Sequence, residues 1–300
     1  MHQLTGKRQR LQARARILQT IRAFFIQADF LEIETPQRIP QNAPEAYIQP
    51  FESEGWQLQT SPELAMKRLL AAGYEKIFQI CHCWRTGERG RRHLPEFTLL
   101  EWYRSHCDYL ALMDDCENLL AQLTGGQPLR YQGNLIHCDR PFERLSVHEA
   151  FARYTSLTPE QALKDDCFDE LMVTAIEPNL GLPQPTFLYD YPASLAALAR
   201  RKPANPCLAE RFELYVAGIE LANAFSELTD ATEQRQRFEH VEQRHSPPRS
   251  TPMALPEKFL AALPQMPAAA GIALGIDRLV MLLTNAARID QVVSFTPEEL

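Results

Sequence analysis

No apolar run in these 300 residues approaches the ~20 needed for a membrane-spanning helix, so no membrane association is expected. Neither a G-x-G-x-x-G nor a P-loop pattern occurs, which removes the two glycine-rich backbone cradles for phosphate and leaves any nucleotide to be held by side chains. Cysteine is scarce: seven residues, an odd number without regular spacing, argue against a disulfide framework and for a reducing, cytoplasmic location. Positive charge is in deficit, with 31 Lys+Arg against 38 Asp+Glu and a net charge of -7. A protein gripping nucleic acid over many phosphates would have to gather its bases on one face. The N-terminal stretch through Arg22 is arginine-rich and acid-poor, like a transit peptide, but lacks an apolar signal core and reads as a surface helix. No internal repeat or low-complexity segment is present.

Composition is otherwise that of a globular chain, 45% hydrophobic and 23% charged, long enough to bury a substantial core. Leu11, Ala15, Leu18, Ile21 and Phe25 recur at helical steps and predict a helix over 6–28, with a basic cluster of Lys7, Arg8, Arg10, Arg14 and Arg16 as a solvated face. Residues 30–35 alternate and stop at Pro36, predicting a strand. Further helices are expected from Pro62 to near Gly73, over 110–123 before Gly125 and Gly126, over 145–154 and 159–176, and over 277–284. Strands are expected at 77–85, 97–104, near Leu135, and at 187–191, 211–221 and 271–276, and a Pro-rich loop at 246–256. The pattern predicts an α+β fold, a mainly antiparallel sheet flanked by helices, in one domain over 1–300 with a small helical insertion around 126–179.

Three segments carry candidate chemistry. Strands 77–85 and 97–104 flank an arginine-rich loop, and alternation places Phe97, Leu99, Glu101 and Tyr103 on one face, with Gln79, Cys81, Cys83 and Arg85 sharing a face of the partner strand. Arg85 there suits a phosphate; a cross-strand Arg–Glu pair would account for the same residues. The run GIELANAFSE at 218–227 sets Glu220 and Glu227 around Asn223. Carboxylates of this kind suit magnesium, provided the chain bends or bulges near Asn223, because a straight strand would send the two to opposite faces. Two unrelated acids at a strand end are the alternative. GIALGIDRL at 271–279 is a small-residue strand entering a helix, where Arg278 can stack on a base or meet a terminal phosphate; tight strand–helix packing would explain it equally. Cys81, His82, Cys83 and His93 are discounted as a zinc site because His82 faces away from the cysteines, and Ser61 as a nucleophile because no base or elbow motif adjoins it.

Taken in order, these segments resemble motifs 1, 2 and 3 of class II aminoacyl-tRNA synthetases: 30–36, then Trp84 and Arg85 through Pro95, Glu96, Phe97 and Thr98 to Tyr103, then 271–278. The likeness is to the lysyl branch and spans nearly the whole chain. Because motif 1 begins within the first few dozen residues, no anticodon-binding barrel is expected. LEWYR at 100–104 and ELANAF at 220–225 are similar to the elongation factor P beta-lysine ligase family. That resemblance implies ATP-dependent activation of (R)-beta-lysine, or lysine, as an acyl-adenylate and its transfer to a lysine of elongation factor P, with ATP and Mg2+ as cofactors and a homodimer joined near Pro36. It implies Arg85, Glu220, Glu227 and Arg278 as catalytic residues. Arg85, Gly87, Glu88, Leu94, Phe97, Glu220, Leu221, Gly275 and Arg278 would bind ATP, and Glu220 and Glu227 the metal. Ser61, Pro62, Glu63, Glu101, Tyr103, Asn223, Glu227 and Ala273 would bind the amino acid.

Three positions depart from the family pattern. Gly87 stands where glutamate commonly follows the motif 2 arginine, and Ala224 where glycine commonly follows the asparagine. Ala273 stands where lysyl-tRNA synthetases usually have glycine, and its methyl favours a substrate whose amine is shifted by one carbon. Two other functions are compatible with the same residues: a ligase of this type acting on another acceptor, and an inactive amino-acid-sensing paralogue.

Overall fold

The computed structural model describes residues 2–244 and 254–300; of the expected loop at 246–256, only 254–256 fall among the described residues. Helix α1 (His2–Gln27) buries Ile21 and Phe25, and the Phe25 ring packs 5.1 Å from Phe30, 4.9 Å from Phe78 and 5.1 Å from Trp102. The basic face expected to be solvated is partly spent on ion pairs, Lys7 with Glu299 at 2.7 Å and Arg14 with Asp277 at 2.5 Å. The alternating run after it forms a strand of only two residues, β1 (Leu31–Glu32), parallel to the later β5. Short strands β2 (Arg38–Ile39), β3 (Glu52–Ser53) and β4 (Trp56–Leu58) make a separate small sheet. Helix α2 (Glu63–Ala71) follows Pro62, then come β5 (Lys76–Trp84) and β6 (Glu96–Ser105), paired antiparallel as expected with Gln79 opposite Glu101. Helix α3 (Tyr109–Thr124) starts at Asp108, whose carboxylate accepts from Leu110 N at 3.0 Å, and stops at Gly125 with φ 61°.

The insertion is mixed rather than purely helical. It contains the hairpin β7 (Leu129–Tyr131) and β8 (Asn134–Ile136), strand β9 (Glu143–Ser146), and helices α4 (Val147–Tyr154), α5 (Pro159–Lys164) and α6 (Phe168–Leu171) with a turn of π-helix. Leu145 and Ser146 were expected to open a helix over 145–154; with Glu143 and Arg144 they pair instead with β10 (Thr186–Pro192), because Ser146 is the N-cap that starts α4, its hydroxyl accepting from Glu149 N. After β11 (Arg201–Lys202), the run 211–221 is two strands rather than one: β12 (Asn205–Val216) and β13 (Ile219–Ser226) turn at Ala217 and Gly218, both with positive φ. Ala217 N and Gly218 N donate to Gly181 O and Leu180 O, which pins the turn. Helices α7 (Ala231–Arg244) and α8 (Glu257–Ala262), strand β14 (Ala269–Gly275) and helix α9 (Ile276–Leu283) complete the chain.

The main sheet runs β1-β5-β6-β14-β13-β12-β10-β9 with β11 beside β12, and only its two outermost pairs are parallel. One face is covered by α1, α3 and α9, with Leu100, Trp102, Leu112, Met113, Leu279 and Val280 in one buried cluster. Alternation along β6 then turns Leu99, Glu101 and Tyr103 to the other face, which holds the candidate site.

Candidate active site

Four central strands, β6, β14, β13 and β12, floor a cavity of ≈ 280 Å³. Of the nine residues expected to bind a nucleotide, eight line it: Arg85, Glu88, Leu94, Phe97, Glu220, Leu221, Gly275 and Arg278. Gly87 does not; it sits in a turn at φ +81° with open space around it. Arg85 makes no pair with Glu101. Its guanidinium lies 5.0 Å over the Phe97 ring, its nearest carboxylate, Glu88, is 3.8 Å away, and its buried Nε has no partner. A half-buried guanidinium with a buried, unpartnered Nε calls for an anion. At the other end Arg278 Nη1 donates to Glu220 O at 2.7 Å and Glu220 Oε2 at 3.2 Å, while Nη2 meets His93 Nε2 at 2.5 Å. Two arginines thus stand apart along one cavity, a spacing suited to a polyphosphate.

The anticipated irregularity in β13 is present two residues earlier than Asn223. Leu214 pairs with Ala222 and Tyr215 with Glu220, so Leu221 is an extra residue, a bulge. It turns Glu220 onto the face shared by Asn223, Phe225 and Glu227. The bulge does not bring Glu220 to Glu227, however. Six strand steps still separate them, roughly 20 Å at ~3.3 Å per residue, whereas magnesium ligands lie ~2.1 Å from the ion. The expected shared metal site at Glu220 and Glu227 is therefore corrected. The carboxylate that the cavity places with Glu220 is Glu213, across the hairpin on β12. Glu213 accepts from Tyr191 Oη at 2.6 Å, Tyr215 Oη at 2.7 Å and Arg211 Nη2 at 2.5 Å, and burial first, then Glu220, pushes its carboxyl above the usual range, with Arg211 opposing. No cluster of three or more His, Cys, Asp or Glu that could hold an ion occurs among the described residues. Two carboxylates facing a polyphosphate cavity nonetheless fit magnesium, which keeps waters and phosphate oxygens in its remaining positions.

Beyond the cavity, along β6, β13 and β14, lies a buried cluster of polar side chains. Ser61 Oγ donates to Glu101 Oε1 at 2.6 Å and accepts from Glu63 N at 3.0 Å, and Tyr103 Oη donates to Glu101 Oε2 at 2.8 Å. Five of the expected amino-acid residues therefore converge: Ser61, Glu63, Glu101, Tyr103 and Glu227. Pro62 does not join them; with Ser61 it lines a neighbouring ≈ 450 Å³ cavity bounded by Trp56, Leu255 and Phe259. Gly271 makes the close packing possible, since a Cβ there would run into the Tyr103 ring and the Glu227 carboxylate. Asn223, Ala273 and Glu101 form a row across β13, β14 and β6, at the border between cluster and cavity.

Sequence reasoning missed Lys67, one turn along α2 from Glu63 and only 1% exposed, which is ion-paired with Glu63 and, at 2.5 Å, with Glu227. Its ammonium lies 4.9 Å over the Phe225 ring. Desolvation works against its charge, but Glu227 and Glu63 outweigh it and hold the ammonium above its ordinary value. The i, i+4 spacing of Glu63 and Lys67 was visible, but reads first as a surface pair. Three carboxylates face this one ammonium, and both Glu227 oxygens lack a well-directed hydrogen bond. Burial, then Glu63, raises Glu101 to about 7, and burial raises Glu227 to about 8 against the pull of Lys67. An uncompensated buried acidic cluster is a receptor for ammonium groups.

The sequence matches the family described as tRNA synthetases class II (D, K and N) over residues 4–299. It is 39% identical to the elongation factor P--(R)-beta-lysine ligase of Sodalis glossinidius over 95% of this chain and 94% of that protein. The proteins of the same name from Edwardsiella ictaluri and Salmonella arizonae are 39% and 40% identical, each over 94% of this chain and 93% of theirs. Arg85 and Arg278 over one cavity, an acidic cluster beside it and a match across 4–299 agree: the chain belongs to the class II tRNA synthetases of the D, K and N group.

Proposed function

We propose that this protein is an ATP-dependent ligase that activates (R)-beta-lysine as an acyl-adenylate and transfers it to a lysine side chain of elongation factor P. The observation that carries the reading is the buried acidic cluster of Glu63, Glu101 and Glu227, connected through the row Glu101–Ala273–Asn223 to the cavity that Arg85 and Arg278 line. Three carboxyl groups share Lys67, and burial holds Glu101 and Glu227 toward their protonated forms; the two ammonium groups of a diamino acid would supply the charge that lets both ionise. With those ammoniums bound at the cluster, the substrate carboxylate points past Ala273 into the cavity. Arg85 neutralises the α-phosphate as the carboxylate oxygen attacks phosphorus and the bond to pyrophosphate breaks; losing a preorganised donor of this kind costs ~2.7–4 kcal/mol of transition-state stabilisation. Arg278, held by Glu220 and His93, engages the far end of ATP. Glu213 and Glu220 would hold magnesium, which when bound neutralises phosphate charge. An acceptor amine then attacks the carbonyl of the mixed anhydride and AMP leaves.

The exposed Ile26 and Leu31, 58% and 51% accessible beside the edge strand β1, support a homodimer through this face near Pro36, to be checked by light scattering. Among the described residues no helix is long and apolar enough to cross a membrane, and seven free cysteines suit a reducing, cytoplasmic setting. Amino-acid-dependent ATP–pyrophosphate exchange with (R)-beta-lysine and L-α-lysine, followed by the mass gain of elongation factor P, tests the function. Exchange without transfer would redirect the search to another acceptor, and absence of exchange would overturn the enzyme reading in favour of a sensor.

A further inference from the structure

We propose that Glu45 is the general base of the transfer half-reaction, its carboxylate taking the proton from the acceptor amine as nitrogen attacks the adenylate carbonyl. This inference rests on the two-step ligase reading above. Glu45 lies in the loop between β2 and β3 and lines the same cavity as Arg85, Asn223 and Ala273. The loop is tied down on both sides of it. Asn42, buried, accepts from Thr60 N at 2.7 Å and donates to Leu58 O at 3.1 Å, and Gln49 O accepts from Thr86 N at 2.8 Å.

The charged groups acting on Glu45 are Arg85 and Arg211 on one side and Glu63 and Glu88 on the other. Arg85 marks the α-phosphate position and Glu63 the acidic cluster, so Glu45 stands at their junction, where the carboxyl–phosphate anhydride must form. The other acids of the cavity are already engaged. Glu88 faces Arg85, Glu213 accepts from two tyrosines and Arg211, Glu220 is held by Arg278, and Asp277 accepts from Arg14 and Thr98 N. His93 spends its Nε2 on Arg278. Among the described residues, no hydrogen bond or ion pair engages the Glu45 carboxylate. Burial raises it to about 7, against Arg85, which matches a base to neutral conditions. Two residues on, Tyr47 is 87% exposed, so the loop that turns Glu45 inward borders solvent, from which a macromolecular amine must enter.

The step balances. The acceptor nitrogen forms its bond to the carbonyl carbon, the bond from that carbon to the phosphate oxygen breaks with its electron pair leaving on AMP, and the amine proton passes to Glu45. The test is Glu45→Gln, which keeps the shape and removes the base. ATP–pyrophosphate exchange, which also reports a folded enzyme, is expected to fall far less than transfer, and hydroxamate formation with hydroxylamine, an amine already neutral at neutral pH, is expected to follow exchange rather than transfer. Transfer to the lysine of elongation factor P is expected to fall ~10²-fold or more. Parallel loss of exchange would overturn the proposal and make Glu45 a reader of the substrate's own amine, and unchanged transfer would overturn it outright. Should the unmutated enzyme exchange but not load elongation factor P, the acceptor part of the proposed function falls, while hydroxylamine against propylamine as acceptors still decides the role of Glu45.

Discussion

At Glu101 the native state favours a proton: its carboxyl is raised from 4.5 to about 7, first by burial and then by Glu63. Between those values the folded chain binds more protons than the unfolded one, so stability is fullest below 4.5 and falls as pH rises toward 7. At ~1.36 kcal/mol per pH unit this amounts to no more than ~3 kcal/mol from this residue. Melting of the substrate-free protein should therefore drop in temperature between about pH 4.5 and 7, and Glu101→Gln should reduce the drop; a profile identical to the unmutated protein would disprove it. Ala273 makes a second prediction at this scale. Its methyl lies between Glu101 and Asn223, so Ala273→Gly should shift the ratio of kcat/KM toward α-lysine, by an amount in the ~10–200-fold range that one methyl group can discriminate. Paired exchange assays read this, and an unchanged ratio rejects it.

The legibility of the site follows from its elements. Alternation in β6 placed Glu101 and Tyr103 together correctly, and the hairpin register put Arg85 above the same floor, because period-two patterning survives wherever one face is buried. The bulge was anticipated for a Glu220–Glu227 metal site that it does not create, and its position was not locatable, since an extra residue leaves the apolar pattern of β13 intact. Glu213 is not legible when 211–221 reads as one strand; the turn at Ala217 and Gly218 is the available signal, and it sets Arg211, Glu213 and Tyr215 across the hairpin from Glu220. Glu45 gave no signal, as loop residues carry no period. Deleting Leu221 should straighten β13 and swing Glu220 away from Glu213, lowering exchange by ~10²-fold or more, while Leu221→Ala keeps the bulge and most activity. Equal loss in both variants would mean that the Leu221 side chain, rather than the bulge, matters.

Across the molecule, the nucleotide loop between β5 and β6 is fastened by segments far away in sequence. Arg89 pairs with Asp290 at 2.9 Å and with Glu298 at 2.8 Å, Ile289 N donates to Arg91 O at 2.9 Å, and Arg92 Nη1 donates to Gly218 O at 2.8 Å, at the hairpin turn. These side-chain ties are exposed, so each is weak and screened by salt, but together they set how the loop is presented. Arg89→Ala should raise the KM for ATP severalfold with less change in kcat, and added salt should raise the KM of the unmutated enzyme more than that of the variant. A KM indifferent to both would show that the loop holds itself.

The same fastening bears on how the protein is handled at the bench. Glu298 sits two residues before Leu300, and Glu299, paired with Lys7, is next. A fluorophore or surface tether attached beside them would pull on Glu298, which grips Arg89, and on Glu299, which grips Lys7, so affinities for ATP measured on such conjugates would partly report the attachment.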